Sequence, residues 1–122
     1  MSERSNQFEW DFLEQVLKLA GYSGYEEFSR SVMERLSKGE QEYGRNTFFH
    51  KPLAREVMEE ALDIAGWGTL WVEQINWYEN EHRLNSDVSQ NIKLLIAEAG
   101  AHAVRAYVLC RGANDLLTEN LR

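Results

Sequence analysis

The stretch LAREVMEEALDIAGWGTLWVEQINWY, residues 53–78, decides the fold. Read at the period of an α-helix, it places Leu53, Val57, Ala61, Ile64, Gly68, Trp71, Ile75 and Tyr78 on one stripe. Met58, Leu62, Ala65 and Val72 widen the apolar arc, the pattern of a central helix that touches more than one neighbour. Pro52 stands just ahead, where its fixed φ and missing N–H suit a helix start. A polar run from Glu79 to Asn85 ends the pattern, so the helix is expected over about residues 53–79.

Three more helices are expected around it. The first covers about residues 7–20, with Phe8, Phe12, Val16 and Leu19 at helical spacing, and Gly21 stops it. The second covers about residues 24–43, with Ser23 as N-cap and Glu26 and Glu27 in the first turn, where the helix dipole favours negative charge. Its stripe is Tyr25, Phe28, Val32, Leu36, Gly39 and Tyr43, and Gly39 points to a close helix approach. Residues 44–52 read as the main loop. The fourth helix covers about residues 86–111, capped by Ser86, with Ile92, Leu95, Ile96, Ala99, Ala103, Ala106, Tyr107 and Cys110 on its apolar face. A short helix over about 113–121 follows, through Leu116, Leu117 and Leu121. No alternating pattern marks a strand. The expectation is a single all-α domain over 1–122, an antiparallel bundle of four main helices whose wide apolar faces pair two copies into a homodimer.

Composition removes several function classes. With 43% hydrophobic residues the chain can build a core, which argues against wholesale disorder. A formal net charge of −7 leaves no basic surface for duplex nucleic acid or an anionic membrane. The single cysteine, Cys110, cannot form an internal disulfide and fits a reducing compartment. No apolar run is long enough to span a bilayer, and the N-terminus leads into an acidic, aromatic segment. The chain reads as cytoplasmic.

The third helix also carries a ladder of acids. With Val57 directed to the core, steps of about 100° per residue put Glu56, Glu60, Asp63 and Trp67 on one flank of the buried face, and Glu59 farther round, close to Asp63. Like charges three and four residues apart repel by a few tenths of a kcal/mol per pair. No lysine or arginine interrupts this flank. A hard divalent cation, magnesium or manganese, would offset the repulsion, with Glu56, Glu60 and Asp63 as ligands. The plainer reading is a solvated acidic face.

The second helix offers Glu27, Ser31, Arg35, Lys38 and Glu42 on the equivalent flank. Glu42 would complete a metal shell, and Arg35 and Lys38 would hold phosphate oxygens. Alternatively Lys38 and Glu42 pair with each other at four-residue spacing. His50, His82 and His102 read as loop or core-edge residues. The signatures of a Gly-rich phosphate loop, a serine hydrolase and an H-E-x-x-H zinc site are absent.

The segment Lys38-Gly39-Glu40-Gln41-Glu42-Tyr43-Gly44, followed by a loop and then Arg55-Glu56-Val57-Met58-Glu59-Glu60-Ala61-Leu62-Asp63-Ile64, resembles the MazG-like members of the all-α nucleoside triphosphate pyrophosphohydrolases, in particular small phage-type versions. The resemblance covers roughly residues 30 to 80. It implies magnesium held between two helices by an E-x-x-E and a later E-x-x-D motif, cleavage of a nucleoside triphosphate to monophosphate and pyrophosphate, and assembly as dimers or higher oligomers. Glu60-Ala61-Leu62-Asp63 matches the second motif. The second helix holds no E-x-x-E, since Glu34, Glu40 and Glu42 are spaced differently. On this reading Glu59 or Glu60 orients the attacking water as general base. Arg35 and Lys38 offset phosphate charge, and Trp67 stacks on the base, although a tryptophan at helical spacing also suits a core. The competing reading is a non-catalytic, phage-type helical protein that binds a protein partner through an acidic, aromatic surface.

Overall fold

A computed structural model of the chain describes residues 4–21, 26–44 and 47–122. The expected N-cap Ser23 and the stripe residue Tyr25 lie outside the described residues, as do the side chains of Phe8 and Tyr43. Among the described residues every regular element is helical: α1 (Arg4–Ala20), α2 (Glu26–Tyr43), α3 (Leu53–Asn80) and α4 (Ser86–Asn120), with a short 3-10 turn over Thr47–His50. No helix among them is long and apolar enough to cross a membrane. The chain divides into two compact units, Met1–Lys51 and Pro52–Arg122.

The first unit pairs α1 with α2. Gly21 and Gly44 close these helices with positive φ (72° and 85°), a conformation open to glycine at no steric cost, and their N–H groups return to the Lys18 and Glu40 carbonyls. Among the side chains described there, Leu13 and Leu17 of α1 and Ser29 of α2 are buried. This corrects the expected stripes, because Phe12, Val16 and Leu19 on α1 and Phe28 and Leu36 on α2 are exposed. The seam between α1 and α2 is narrow, so the rest of a wide apolar arc stays outside it. Gly39 is not a close-approach point either, since a Cβ built there would meet nothing within 4 Å.

The second unit is an antiparallel hairpin. A Cβ at Gly68 would lie 3.4 Å from Ile96 Cγ2, and Lys93 Nζ donates to Asn76 Oδ1 at 2.9 Å, so positions rising along α3 meet positions falling along α4. The turn between the helices is closed at both ends. The N–H of His82 reaches the Glu79 carbonyl and that of Arg83 the Tyr78 carbonyl, with His82 held at φ 56°. The Arg83 guanidinium lies 5.1 Å from the Tyr78 ring centroid and 5.8 Å from that of Trp77. The cap of α4 is Asn85, whose Oδ1 accepts from the Val88 N–H at 3.0 Å, and not Ser86, which is the first helical residue.

The seam of this hairpin mixes small residues with larger ones. On α3, Ala61 and Ile75 are buried, while Met58, Ala65, Gly68 and Val72 are half-buried. On α4, Ser89, Ile96 and Ala103 are buried, and Gly100, Ala106, Tyr107 and Cys110 are half-buried. The expected α3 stripe shares Ala61, Gly68 and Ile75 with this seam. It is turned away from it at Val57, Ile64 and Trp71, which are about half exposed. The cause is close approach: Ala61, Ala65 and Gly68 let the backbones come together, and the larger side chains splay to the flank. The expected break after residue 111 is also corrected. Helix α4 runs unbroken through Gly112 to Asn120, and Leu116, Leu117 and Leu121 at its end are exposed.

Candidate functional site

The residues singled out in the sequence fall in both units. Arg35, Lys38 and Glu42 belong to the first, and Glu56, Glu59, Glu60, Asp63 and Trp67 to the second.

In the second unit, helical spacing on α3 brings several of them together. Glu60, Asp63 and Trp67 line one groove of about 360 Å³, whose remaining wall includes Ile64 and Trp71 and, from α4, Ile96 and Ala99. Gly68 also lines the groove, and a Cβ there would lie 3.4 Å from Ile96 Cγ2. The floor is therefore apolar, and the rim on the N-terminal side is acidic. Trp67 is 71% exposed, so it is not a core residue, and Trp71, one turn on, is 53% exposed.

Glu56 lies one turn before Glu60 and is exposed, outside the residues that line the groove. Glu59 is engaged elsewhere, since its Oε1 lies 3.6 Å from Arg55 Nε in an exposed pair at four-residue spacing. Such a pair contributes about 0.3–0.5 kcal/mol. The ladder thus resolves into an ion-paired Glu59 and a flank of Glu56, Glu60 and Asp63, of which two acids reach the groove. All three flank acids are exposed.

In the first unit, Arg35, Lys38 and Glu42 line a surface groove of about 700 Å³ along α2, together with Ser31, Glu34 and Gly39. No ion pair links Lys38 with Glu42 among the described residues, so the expected four-residue pairing is not formed. Two cations and two carboxylates therefore share one helix face.

The donor set bears on the expected metal. Among the described residues no three His, Cys, Asp or Glu side chains come together closely enough to hold an ion. What α3 presents is a pair, Glu60 and Asp63, at three-residue spacing on a groove rim. A pair does not make an all-protein cage of the kind calcium or zinc occupies. It does fit magnesium, which commonly keeps several waters and takes one or two carboxylates together with substrate phosphate oxygens.

Sequence reasoning misses the α4 wall of the groove and assigns Trp71 to the core. The signal for Trp71 is present in its four-residue offset from Trp67, but that offset alone does not distinguish an inward from an outward face. No family model, no curated protein and no solved structure matches the chain.

Proposed function

We propose that the protein is a metal-dependent nucleotide pyrophosphohydrolase-like enzyme that cleaves a nucleoside triphosphate to monophosphate and pyrophosphate. The observation that supports this reading is that Glu60, Asp63 and Trp67, chosen from the sequence for metal and base, line one groove. Glu60 and Asp63 are the metal-binding pair, with Glu56 one turn away as a further carboxylate. Bound with the nucleotide, magnesium or manganese would polarise the phosphate chain and lower the pKa of a coordinated water. On this reading Glu60, on the groove rim, accepts the proton of the attacking water through a carboxylate oxygen not taken by the metal. Glu59 competes for that role only when released from Arg55. Pairing as a homodimer completes the proposal, since large apolar side chains of α3 and α4 lie outside their own seam.

The test is turnover. Purified protein with magnesium or manganese is incubated with the common ribo- and deoxyribonucleoside triphosphates, and pyrophosphate and monophosphate are measured. Release of both products, abolished in Asp63→Asn at unchanged helical content, is the expected result. Absence of turnover together with no metal-dependent rise in melting temperature contradicts the reading.

A second reading is a non-catalytic interaction protein, favoured by the extent of exposed apolar surface on α3 and α4, where Leu62, Leu70, Trp77, Leu94, Leu95, Val104 and Leu109 all face outward. It predicts a stable complex with a protein partner that survives Asp63→Asn and needs no metal.

A further inference from the structure

The seam between α3 and α4 repeats every seven residues on both helices. Ala61, Gly68 and Ile75 follow one another on α3, and Ser89, Ile96 and Ala103 on α4. That is the period of helices packed knobs into holes. A second set with the same period lies beside the seam and outside it. On α3 it is Val57, Ile64 and Trp71, each about half exposed, and on α4 it is Ile92, Ala99 and Ala106. Ile64 and Trp71 from one helix and Ala99 from the other line a single groove, with Gly68 and Ile96 at its base. The groove therefore has two walls, one from each helix.

A trough between two antiparallel helices, with apolar positions recurring every seven residues on both walls, has the shape that a third helix fills. Gly68 and Ala99 are small enough to leave holes for its side chains. From Val57 to Trp71 the α3 wall is about 21 Å long, about four helical turns. The rim selects the sign of the incoming helix. Glu60 and Asp63 line the groove together with no cation, and Glu56 stands one turn before Glu60. A basic flank is attracted to these carboxylates and an acidic one is repelled. A second copy seated here by the same face would bring like charges together about the two-fold axis, and the chain as a whole carries a formal charge of −7.

We infer that the groove between α3 and α4 is a docking site for an amphipathic α-helix of a protein partner. The helix is apolar on the face it buries and carries lysine or arginine on the flank that meets Glu56, Glu60 and Asp63. The inference gives the interaction reading its partner and does not need the hydrolase. A helix seated there covers Glu60 and Asp63, so it and a metal–nucleotide complex exclude one another.

The test uses the full chain without metal or nucleotide, at low ionic strength. The probe is a fluorescein-labelled peptide of three heptads, with leucine at the two core positions of each heptad and lysine at the positions flanking them. A second peptide carries glutamate in place of lysine, and a third is a scramble of the first. Fluorescence anisotropy is expected to show the lysine peptide binding about tenfold more tightly than the glutamate peptide, an advantage that shrinks with added salt. Ile64→Lys/Ala99→Lys puts an ammonium group on each wall at positions already exposed, and should abolish binding at unchanged helical content. Glu60→Lys/Asp63→Lys should reverse the preference between the two peptides. Leu94→Lys, on an exposed part of α4 outside the groove lining, should leave binding unchanged.

No saturable binding of the lysine peptide, or equal binding of all three peptides, would overturn the inference. Binding lost in Leu94→Lys but kept in Ile64→Lys/Ala99→Lys would also overturn it, while leaving the interaction reading with a different surface. Sedimentation equilibrium covers the remaining occupant: a wild-type dimer that becomes monomeric in Ile64→Lys/Ala99→Lys would assign the groove to a second copy and not to a basic helix.

Discussion

Leu95 and Ile96 are neighbours of similar size on α4, and their exposures differ sharply: Ile96 is 8% exposed and Leu95 is 67% exposed. Ile96→Ala removes three carbons that are almost fully covered by α3. At about 0.8 kcal/mol per buried methylene this loses about 2.2 kcal/mol of transfer free energy. The residual void opens into the Glu60–Asp63 groove, so water can enter it and the added cavity term is small; the total is about 2–3 kcal/mol. Leu95→Ala removes the same number of carbons, of which about a third of the surface is covered, and alanine's better helix propensity returns a little of the loss. Its cost is about 0.5 kcal/mol on the same bookkeeping. Urea denaturation followed by far-UV circular dichroism, at one protein concentration and with unchanged m-value, measures both. A Leu95→Ala cost equal to or above that of Ile96→Ala would refute the seam assignment and place the hairpin contact on the flank that carries Leu95.

Three further outcomes follow from the same hairpin. Asn85→Ala removes the acceptor for the Val88 N–H and should cost about 1 kcal/mol in denaturation, while Ser86→Ala should be close to neutral. His82→Gly relieves a non-glycine residue at φ 56° and should raise the denaturation midpoint by the equivalent of about 0.5–1 kcal/mol. A lower midpoint would show that the His82 side chain contributes more than its backbone costs. Arg55→Ala frees Glu59 from an exposed pair and should change stability by less than about 0.5 kcal/mol, so any loss of turnover in that variant would reflect Glu59's state and not unfolding.

Sequence and structure part over which side chains each helix hides. Periodicity locates all four helices, and Gly21 marks a true stop. It places Ile75 and Ile96 correctly and misjudges the buried face at several other large apolar residues. On α3 the apolar arc centres on Val57, Ile64 and Trp71, but packing is governed by how closely two backbones can approach, and that is decided by Ala61, Ala65 and Gly68. On α1 the same bias favours Phe12 and Val16 over Leu13 and Leu17. Gly112 reads as a break because glycine lowers helix propensity by about 1 kcal/mol, yet that is less than a continuous helix of this length can absorb. At the candidate site, Glu60, Asp63 and Trp67 are legible together, since their juxtaposition follows from one helix's own geometry. Ile96 and Ala99 are not, because they enter through the register of α4 against α3, which no local pattern encodes.

The functional reading stands on the Glu60–Asp63 groove taking a metal–nucleotide complex. Titration of manganese in the presence of a non-hydrolysable nucleoside triphosphate, followed by electron paramagnetic resonance of the free ion, tests it without relying on catalysis. Saturable, nucleotide-dependent uptake is expected for the wild-type protein, weakened at least tenfold in Glu60→Gln/Asp63→Asn while helical content is retained. Uptake of the same strength in that double variant would show that the groove is not the site.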